Sequence, residues 1–262
     1  MSTRGRTTFT VEGHHEHLHL VRDSFISRGL ALVSWADKPD FCLLGAQRLS
    51  PFHLPLVASV PLFVLSSSDV YLGSTAQGHN VPLDEGVPAV ITPLSDRRVQ
   101  GALYTLLVEN EALYQEAPCM VVRVFDVYGP CVKTGIIREF IKEFKETNKI
   151  SVPYPGYQVR SFLYVDDFLE CTFALCAKFL AGSCGVFNVG SAEPVSLNKA
   201  AQSVCHFLQK ETPLDTVYHN APSDFCWFLV PDITRTAAVA EWAPHVSFRR
   251  GVWETVSAAI SE

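Results

Sequence analysis

The sequence lacks an excess of basic residues and a long apolar run, and each absence removes a class of function. Its 262 residues include 21 lysines and arginines against 27 aspartates and glutamates, so the net charge of −6 cannot neutralise a phosphate backbone. We expect no nucleic-acid partner. The richest apolar stretch, residues 54–65, contains Pro55 and Pro61 and falls short of the roughly 20 residues that cross a bilayer. We therefore expect no membrane partner.

The chain also lacks an apolar signal core and a regular cysteine pattern. Its polar start, MSTRGRTT, favours a cytoplasmic location. The eight cysteines include no C-x-x-C pair, and several lie in apolar runs such as FCLL and SVCHF, so we expect buried, reduced thiols. Apolar residues make up 48% and charged residues 18% of the chain, a balance that is typical of a globular protein and excludes global disorder.

Short apolar runs alternate with helical patterns in the first half of the chain. A period of 3.6 indicates helices at residues 18–28 and 99–115, the first of which ends at Gly29. This alternation predicts an α/β fold with a doubly wound, mostly parallel sheet, whose ligand crevice lies beyond the carboxyl ends of the strands. The predicted strands are residues 9–11, 31–33, 41–44, 62–65 and 119–125.

The sequence texture changes after Pro130, where we place the domain boundary. A charged amphipathic helix at residues 135–147 and a Pro/Tyr/Gly loop at residues 152–157 lead into short strands and helices. Residues 1–130 are therefore predicted to carry the sheet. Residues 131–262 are predicted to form a C-terminal substrate-side lobe, with some segments returning to the sheet.

Four segments of the second half carry a more specific signal through their order and spacing. They are RVFDVYGP at 123–130, GYQVRSFLYVDD at 156–167, VFNVGSAEPVSL at 186–197 and PDITRTAAVAEWAP at 231–244. Together they resemble the NAD-dependent epimerase/dehydratase family, extended short-chain dehydrogenases that act on nucleotide sugars. The resemblance implies a Rossmann-like fold with a small C-terminal α/β lobe.

A further segment, LSSSDVY at 65–71, resembles the family's catalytic strand end. The resemblance implies that Ser67 hydrogen-bonds the sugar oxygen and that Asp69 is the acid/base carboxylate. A hydroxyl and a carboxylate at a strand's carboxyl end can perform these tasks. Taken alone, the same letters also form a common strand-to-loop exit. If the chain is active, Tyr104 completes the catalytic set.

The glycine motif of the family is the first departure. In the family the first strand leads into G-x-x-G-x-x-G, because glycine lets backbone amides approach the cofactor pyrophosphate. Here the stretch is VEGHHEHLHLV, in which Gly13 holds the first position but Glu16 and His19 replace the other glycines. We therefore predict that Gly13 is a degenerate cofactor-binding residue and expect no cofactor; NAD or NADP binds only if the chain is active.

The histidine-rich run in this stretch also admits a metal site. His15 and His19 are four residues apart and could share one face of a helix. We favour a solvated loop and predict no metal site.

Two more departures affect the sheet and the catalytic helix. Residues 29–46 run from the second strand into what resembles the family's fourth strand, so an intervening strand, its helix and the acidic ribose clamp are missing and the sheet is trimmed. The family's Y-x-x-x-K falls on QGALYTLLVENEAL. In one register Gln100 occupies the tyrosine position and Tyr104 the lysine position. In the other, Tyr104 occupies the tyrosine position and Val108 the lysine position. Both registers lose the dyad.

The substrate side is less altered. The resemblance implies that Arg160 holds a nucleotide diphosphate and that Tyr128 frames the sugar, while Asp126 replaces a family asparagine. Arg160 is equally well explained as a salt-bridge partner of Asp166 or Asp167. That acidic pair is expected mainly to cap the following helix, residues 168–178.

These departures lead to two functional hypotheses. The first is a degenerate family member that has lost dinucleotide chemistry and binds a nucleotide-sugar-like ligand or a protein. The second is an active nucleotide-sugar epimerase, dehydratase or decarboxylase with unconventional NAD(P) binding. The resemblance also implies dimerisation through the catalytic helix and the helix before it, and the segment LYTLLVENEAL is apolar enough for this, so we expect a homodimer or hetero-assembly.

Overall fold

The computed structural model describes residues 6–47, 60–72, 81–86, 97–208, 216–219 and 227–261. Within these residues the strands are β1 (Thr8–His14), β2 (Ala31–Leu32), β3 (Phe41–Ala46), β4 (Leu62–Ser67), β5 (Cys119–Val124), β6 (Asp126–Tyr128), β7 (Ile150–Pro153), β8 (Val159–Tyr164), β9 (Gly185–Val189), β10 (Pro194–Ser196), β11 (Thr216–His219) and β12 (Phe228–Leu229). The helices are α1 (Leu18–Ser27), α2 (Arg97–Leu113), α3 (Ile136–Thr147), α4 (Val165–Leu180), α5 (Leu197–Phe207), α6 (Thr234–Ala240) and α7 (Phe248–Ser261).

A six-stranded parallel sheet forms the centre, in the order β2-β1-β3-β4-β5-β9. Successive residues of its strands point to opposite faces, and both faces are apolar. Phe41 and Leu43 pack on one face with α1 and α4, while Cys42 and Leu44 pack on the other with Val108 of α2. This architecture confirms the predicted α/β class and mostly parallel sheet.

The edge of the sheet at β2 is shortened. Residues 33–40 alone connect β2 with β3, and they hold only a short 3₁₀ turn at Trp35–Asp37. Since residues 6–47 are described without a gap, the predicted loss of a strand and helix here is confirmed. The sheet ends in a strand of two residues paired to Thr8 and Phe9.

Smaller sheets lie in the second half of the chain. β8 pairs with β10, β12 and β6, and β7 pairs with β11. β9 lies beyond Pro130 in sequence and joins the central sheet beside β5. The predicted loop at 152–157 is wrong at its start, because Val152 and Pro153 belong to β7.

Two local predictions also need correction. The helix predicted at 168–178 begins earlier, at Val165, and runs to Leu180. Five described cysteines are buried, but Cys131 and Cys184 are exposed, and Cys226 lies outside the described residues. Across the described part of the chain, no helix combines the length and apolarity needed to cross a bilayer.

Candidate functional site

The end of β1 and the start of α1 form the first side of the crevice. Gly13 has φ +75°, and a Cβ there would lie 2.3 Å from the carbonyl oxygen of Gly45. The two glycines face each other in register across β1 and β3. Gly13 is therefore required here by the close approach of two strands.

The next residues use their own amides internally. The Glu16 amide donates to Oε1 of Gln47 at 3.1 Å, and the His17 amide donates to Nδ1 of His15, also at 3.1 Å. The amide of Leu18 donates to the His15 carbonyl at 3.0 Å. Three successive amides before and at the start of α1 thus already have protein acceptors.

The rings of His15 and His17 are buried just after the carboxyl end of β1. His15 Nε2 donates to the Ser66 carbonyl at 3.1 Å, while its Nδ1 accepts from the His17 amide, which fixes the neutral tautomer. His17 packs edge-on against Phe168 of α4. Burial lowers the pKa of His15 to about 3 and that of His17 to about 4, so both are uncharged at neutral pH. The hypothesis of a metal held by His15 and His19 loses its first ligand, because both nitrogens of His15 are engaged.

Ser67 and Asp69 follow at the carboxyl end of β4. Ser67 is buried, and its Oγ accepts a hydrogen bond from the Asp69 amide at 3.2 Å. The hydroxyl therefore caps the 3₁₀ turn Ser68–Tyr71, and the Asp69 carboxylate is exposed to the crevice.

Asp126 and Arg160 lie on the other side of the crevice. Burial raises the pKa of Asp126 to about 6; Arg160 opposes the shift, and the negative charges of Asp69 and Glu16 add to it. Asp126 Oδ2 and Arg160 Nε are buried and have no hydrogen-bond partner among the described residues. Three carboxylates and one guanidinium thus share this crevice.

The other predicted site residues are placed differently. The Tyr128 hydroxyl donates to the Phe248 carbonyl at 3.2 Å, and the side chain is buried in the core, which raises its pKa. Tyr104 is 52% exposed on the outer side of α2, and Gln100 is also exposed. The structure brings together Ser67, Asp69, Asp126 and Arg160, whereas Tyr128 and Tyr104 point elsewhere.

A buried polar network lies beside the crevice. It was not predicted from the sequence. Arg123 of β5 donates from Nη2 to Glu109 of α2 at 2.7 Å and from Nη1 to the Tyr71 hydroxyl at 2.8 Å. Tyr71 in turn donates to Asn188 Oδ1 at 2.8 Å, and Ser66 donates to the Glu109 carboxylate. We call these five residues the buried network. They join β4, β5, β9 and α2 at the carboxyl ends of the strands.

Comparison with known proteins identifies this framework. The model of the NAD dependent epimerase/dehydratase family matches residues 57–190, which is half of the chain. The chain belongs to this family. Four members of the buried network stand in the segments that carried the resemblance, namely Ser66, Tyr71, Arg123 and Asn188.

Relatives in the epimerase/dehydratase family have names that refer to UDP-linked sugars. The UDP-N-acetyl-alpha-D-glucosaminuronate decarboxylase of Bacillus cytotoxicus is 28% identical over 203 residues, covering 73% of this chain and 61% of that protein. The UDP-glucuronate 4-epimerase of Thermodesulfobacterium geofontis is 26% identical over 199 residues, covering 75% and 58%. The aligned part thus spans about 60% of the length of these relatives.

Solved structures share the fold over nearly the whole chain. The Bordetella bronchiseptica enzyme WbmG in complex with NAD superposes with a TM-score of 0.78 at 17% identity, covering 100% of this chain and 96% of that one. The UDP-N-acetylglucosamine 4-epimerase from Methanobrevibacter ruminantium M1, in complex with UDP-N-acetylmuramic acid, gives 0.74 at 18% identity, covering 98% and 99%. At these identities the comparison establishes the Rossmann-like fold alone.

The start of α1 does not fit the NAD that the family name implies. A pyrophosphate at a helix start needs free backbone amides and empty space. Here the amides of Glu16, His17 and Leu18 already have acceptors within the protein. The rings of His15 and His17 are buried beside them and would have to move to make space for a pyrophosphate. The Glu16 carboxylate adds negative charge, and it is held by the Thr134 hydroxyl at 3.0 Å.

Proposed function

We propose that this epimerase/dehydratase family member has lost dinucleotide-dependent catalysis and acts by binding a nucleotide-sugar-like ligand. The observation that carries the proposal is the internal use of the Glu16, His17 and Leu18 amides. A dinucleotide would have to break these hydrogen bonds and expel two neutral imidazole rings from the core. No cofactor is therefore expected to bind at this position.

The ligand in this proposal binds through Arg160. Its Nε is buried and has no hydrogen-bond partner among the described residues, so the guanidinium retains a donor for a phosphate oxygen. The relatives named for UDP-linked substrates support the ligand class. Asp126 and Asp69 oppose an anion electrostatically, so the proposed affinity is modest at neutral pH.

A thermal-shift titration tests the proposal. The purified chain is heated with NAD(H), NADP(H) and a panel of UDP-, GDP- and dTDP-sugars. Binding to the folded state alone stabilises it by about 2.7 kcal/mol at a ligand concentration of about 100 times Kd. We expect a shift with a sugar nucleotide and none with a dinucleotide; a dinucleotide shift of several degrees would overturn the proposal.

An Arg160→Ala variant assigns the phosphate contact. It should abolish the sugar-nucleotide shift, whereas Arg249→Ala, which removes an exposed arginine from the start of α7, should leave it unchanged. An unchanged shift in Arg160→Ala would assign that arginine to the structure of the crevice instead.

A second candidate function is an active enzyme with unconventional NAD(P) binding. It is favoured by the closeness of Asp69 to Asp126, whose raised pKa of about 6 suits proton transfer near neutral pH. In this alternative Ser67, Asp69 and Tyr104 are the catalytic residues, and Asp126, Tyr128 and Arg160 bind the substrate. It predicts a nicotinamide nucleotide that remains with the purified protein, which mass spectrometry of the denatured sample would detect.

We also propose that α2 pairs with α2 of a second copy of the chain. Its outer side exposes Tyr104 (52%), Leu107 (40%) and Leu113 (38%), with Tyr114 (88%) just beyond its end. Apolar and aromatic side chains of this kind are typical of interface cores. A Leu107→Glu variant should convert a dimer into a monomer in light scattering; a wild-type monomer would refute the proposal.

A further inference from the structure

A cluster of three metal-ligating side chains lies outside the crevice, between α4 and the segment that precedes α7. Asp167 and Glu170 are three residues apart in α4 and therefore share one face of the helix. His245 comes from the connection between α6 and α7. One donor atom from each residue lies within 4.8 Å of the other two.

The orientation of His245 determines what its ring can do. Nδ1 lies 3.2 Å from the Ala243 carbonyl oxygen, which can only accept, so Nδ1 carries the hydrogen. Nε2 lies 3.1 Å from Asp167 Oδ1 and 3.2 Å from Glu170 Oε2. In the neutral ring, the Nε2 lone pair thus faces two carboxylate oxygens, an arrangement that is unfavourable without a cation between them.

Asp167 gives an independent indication of a missing ligand. Its side chain is fully buried, and Oδ2 accepts from the amides of Val246 at 2.9 Å and His245 at 3.2 Å. Oδ1 is also buried, points towards His245, and has no hydrogen-bond partner among the described residues. A buried carboxylate oxygen with no partner is costly and is normally paired or bound to a metal.

This carboxylate also corrects the sequence interpretation of the acidic pair. Asp166 and Asp167 lie in the first turn of α4, at its positive end as expected, but Asp167 Oδ2 accepts hydrogen bonds from the amides of residues 245 and 246 and does not cap its own helix. The expectation that Arg160 pairs with this residue finds no support, because Arg160 is the cation beside Asp126.

We propose that Asp167, Glu170 and His245 bind a divalent transition metal, with Zn²⁺ as the representative ion. Imidazole nitrogen and carboxylate oxygen are both donors that bind Zn²⁺, and water can complete a tetrahedron around three such ligands. The bond from Nδ1 to a backbone carbonyl is the usual way in which a metal-binding histidine is oriented. Because the His245 and Glu170 side chains are 61% and 50% exposed, the ion has access from solvent.

The expected consequence of the metal is structural. It would fasten the connection between α6 and α7 to α4 and so fix the start of α7 on the body of the protein. The rival occupant is a proton on Nε2, which would make His245 an imidazolium that pairs with one or both carboxylates. The two occupants differ in their response to added metal.

Isothermal titration of the metal-free full chain with Zn²⁺ tests the proposal. The titration is performed in a Cys131→Ser, Cys184→Ser background, because these two exposed thiols can bind Zn²⁺ themselves. We expect one site, with an affinity that falls at least tenfold in His245→Gln and in Glu170→Gln. His206→Gln removes an exposed histidine at the end of α5 and should bind as the parent does.

Thermal unfolding gives a second readout. Zn²⁺ should raise the Tm of the parent and of His206→Gln but not that of His245→Gln, while Mg²⁺ should have no such effect. The proposal is overturned if the parent does not bind Zn²⁺, as a proton-only site requires, or if His245→Gln binds as tightly as the parent. Asp167 is left intact in these variants, since its Oδ2 also supports the backbone of residues 245 and 246.

Discussion

The buried network and the start of α1 lie at the same end of one sheet but differ in what their polar groups do. In the network, the Glu109 carboxylate, the Arg123 guanidinium and the Tyr71 hydroxyl bond to one another. Around the start of α1, the crevice holds Asp126 Oδ2 and Arg160 Nε without a hydrogen-bond partner in the described part of the chain, and three carboxylates lie close together. The charged groups of the network are paired with each other, whereas the crevice has more negative than positive groups.

This contrast shows which residues of the family-like segments have a structural role in this chain. Ser66, Tyr71, Arg123 and Asn188 belong to segments that resemble the family, and all four are buried and hydrogen-bonded within the network. Two of the three glycine positions of the family's cofactor motif carry Glu16 and His19 instead. The segments that most resemble the family thus include residues that hold this fold together.

Removing the network's carboxylate is expected to have the largest effect. Glu109→Ala leaves the Arg123 guanidinium buried without its ion-pair partner, which should lower the free energy of unfolding by about 3–5 kcal/mol. Glu146→Ala, at an exposed position of α3, should change it by less than about 0.5 kcal/mol. Urea unfolding measures both. Similar losses in the two variants would show that the ion pair of Glu109 with Arg123 does not stabilise the fold.

Gly13 provides a test of the crevice side. Gly13→Ala places a methyl group 2.3 Å from the Gly45 carbonyl at a positive φ, and we expect a loss of about 2–4 kcal/mol. At Gly29 φ is also positive, but an added Cβ would meet no atom of the described residues within 4 Å, so Gly29→Ala should cost about 1 kcal/mol. Equal losses in urea unfolding would mean that strand approach does not require Gly13.

Asp126 should show the smallest effect and a distinctive pH dependence. Its pKa is about 6 in the folded state against about 4 in an unfolded chain, so the folded state binds more protons between these values. Wild-type stability therefore falls as pH rises from about 4 to about 6. Asp126→Asn removes this loss and should be more stable than wild type by about 1–2 kcal/mol at pH 7.5, with no difference at pH 4.

The exposed Asp23→Asn is the matched control for this experiment. Its side chain is 60% exposed, and its difference from wild type should be small at every pH above about 5. If Asp126→Asn also differed little from wild type at every pH above about 5, the Asp126 carboxylate would be no less stable in the crevice than a carboxylate on the protein surface.

Periodicity predicted the central fold because its strands are buried on both faces. Runs such as FCLL at Phe41–Leu44 have no polar face and are typical of strands buried on both sides, and their alternation with helices indicated a parallel sheet. The replacement of glycines by glutamate and histidine also predicted that side chains crowd the start of α1. Sequence spacing could not show that His15 uses both ring nitrogens internally, because Ser66 lies 51 residues away.

Other parts of the site depended on contacts that no local pattern reveals. Tyr128 stands in a motif that frames a substrate, yet its hydroxyl bonds to Phe248, 120 residues away. An available signal was missed at Arg123, since a cation inside the apolar run CMVVRVF requires a buried carboxylate partner. Glu109, inside an otherwise apolar helical stripe, was the residue to pair with it.

The two-residue strand at the sheet's edge has a consequence for behaviour in crowded solution. A long, flat edge strand exposes a row of backbone donors and acceptors that another chain can join, and this is a common route to aggregation. Here β2 offers only Ala31 and Leu32, beside a loop that turns away through Trp35–Asp37. Where β2 forms the border, it therefore offers only a very short template for growth of the sheet from molecule to molecule.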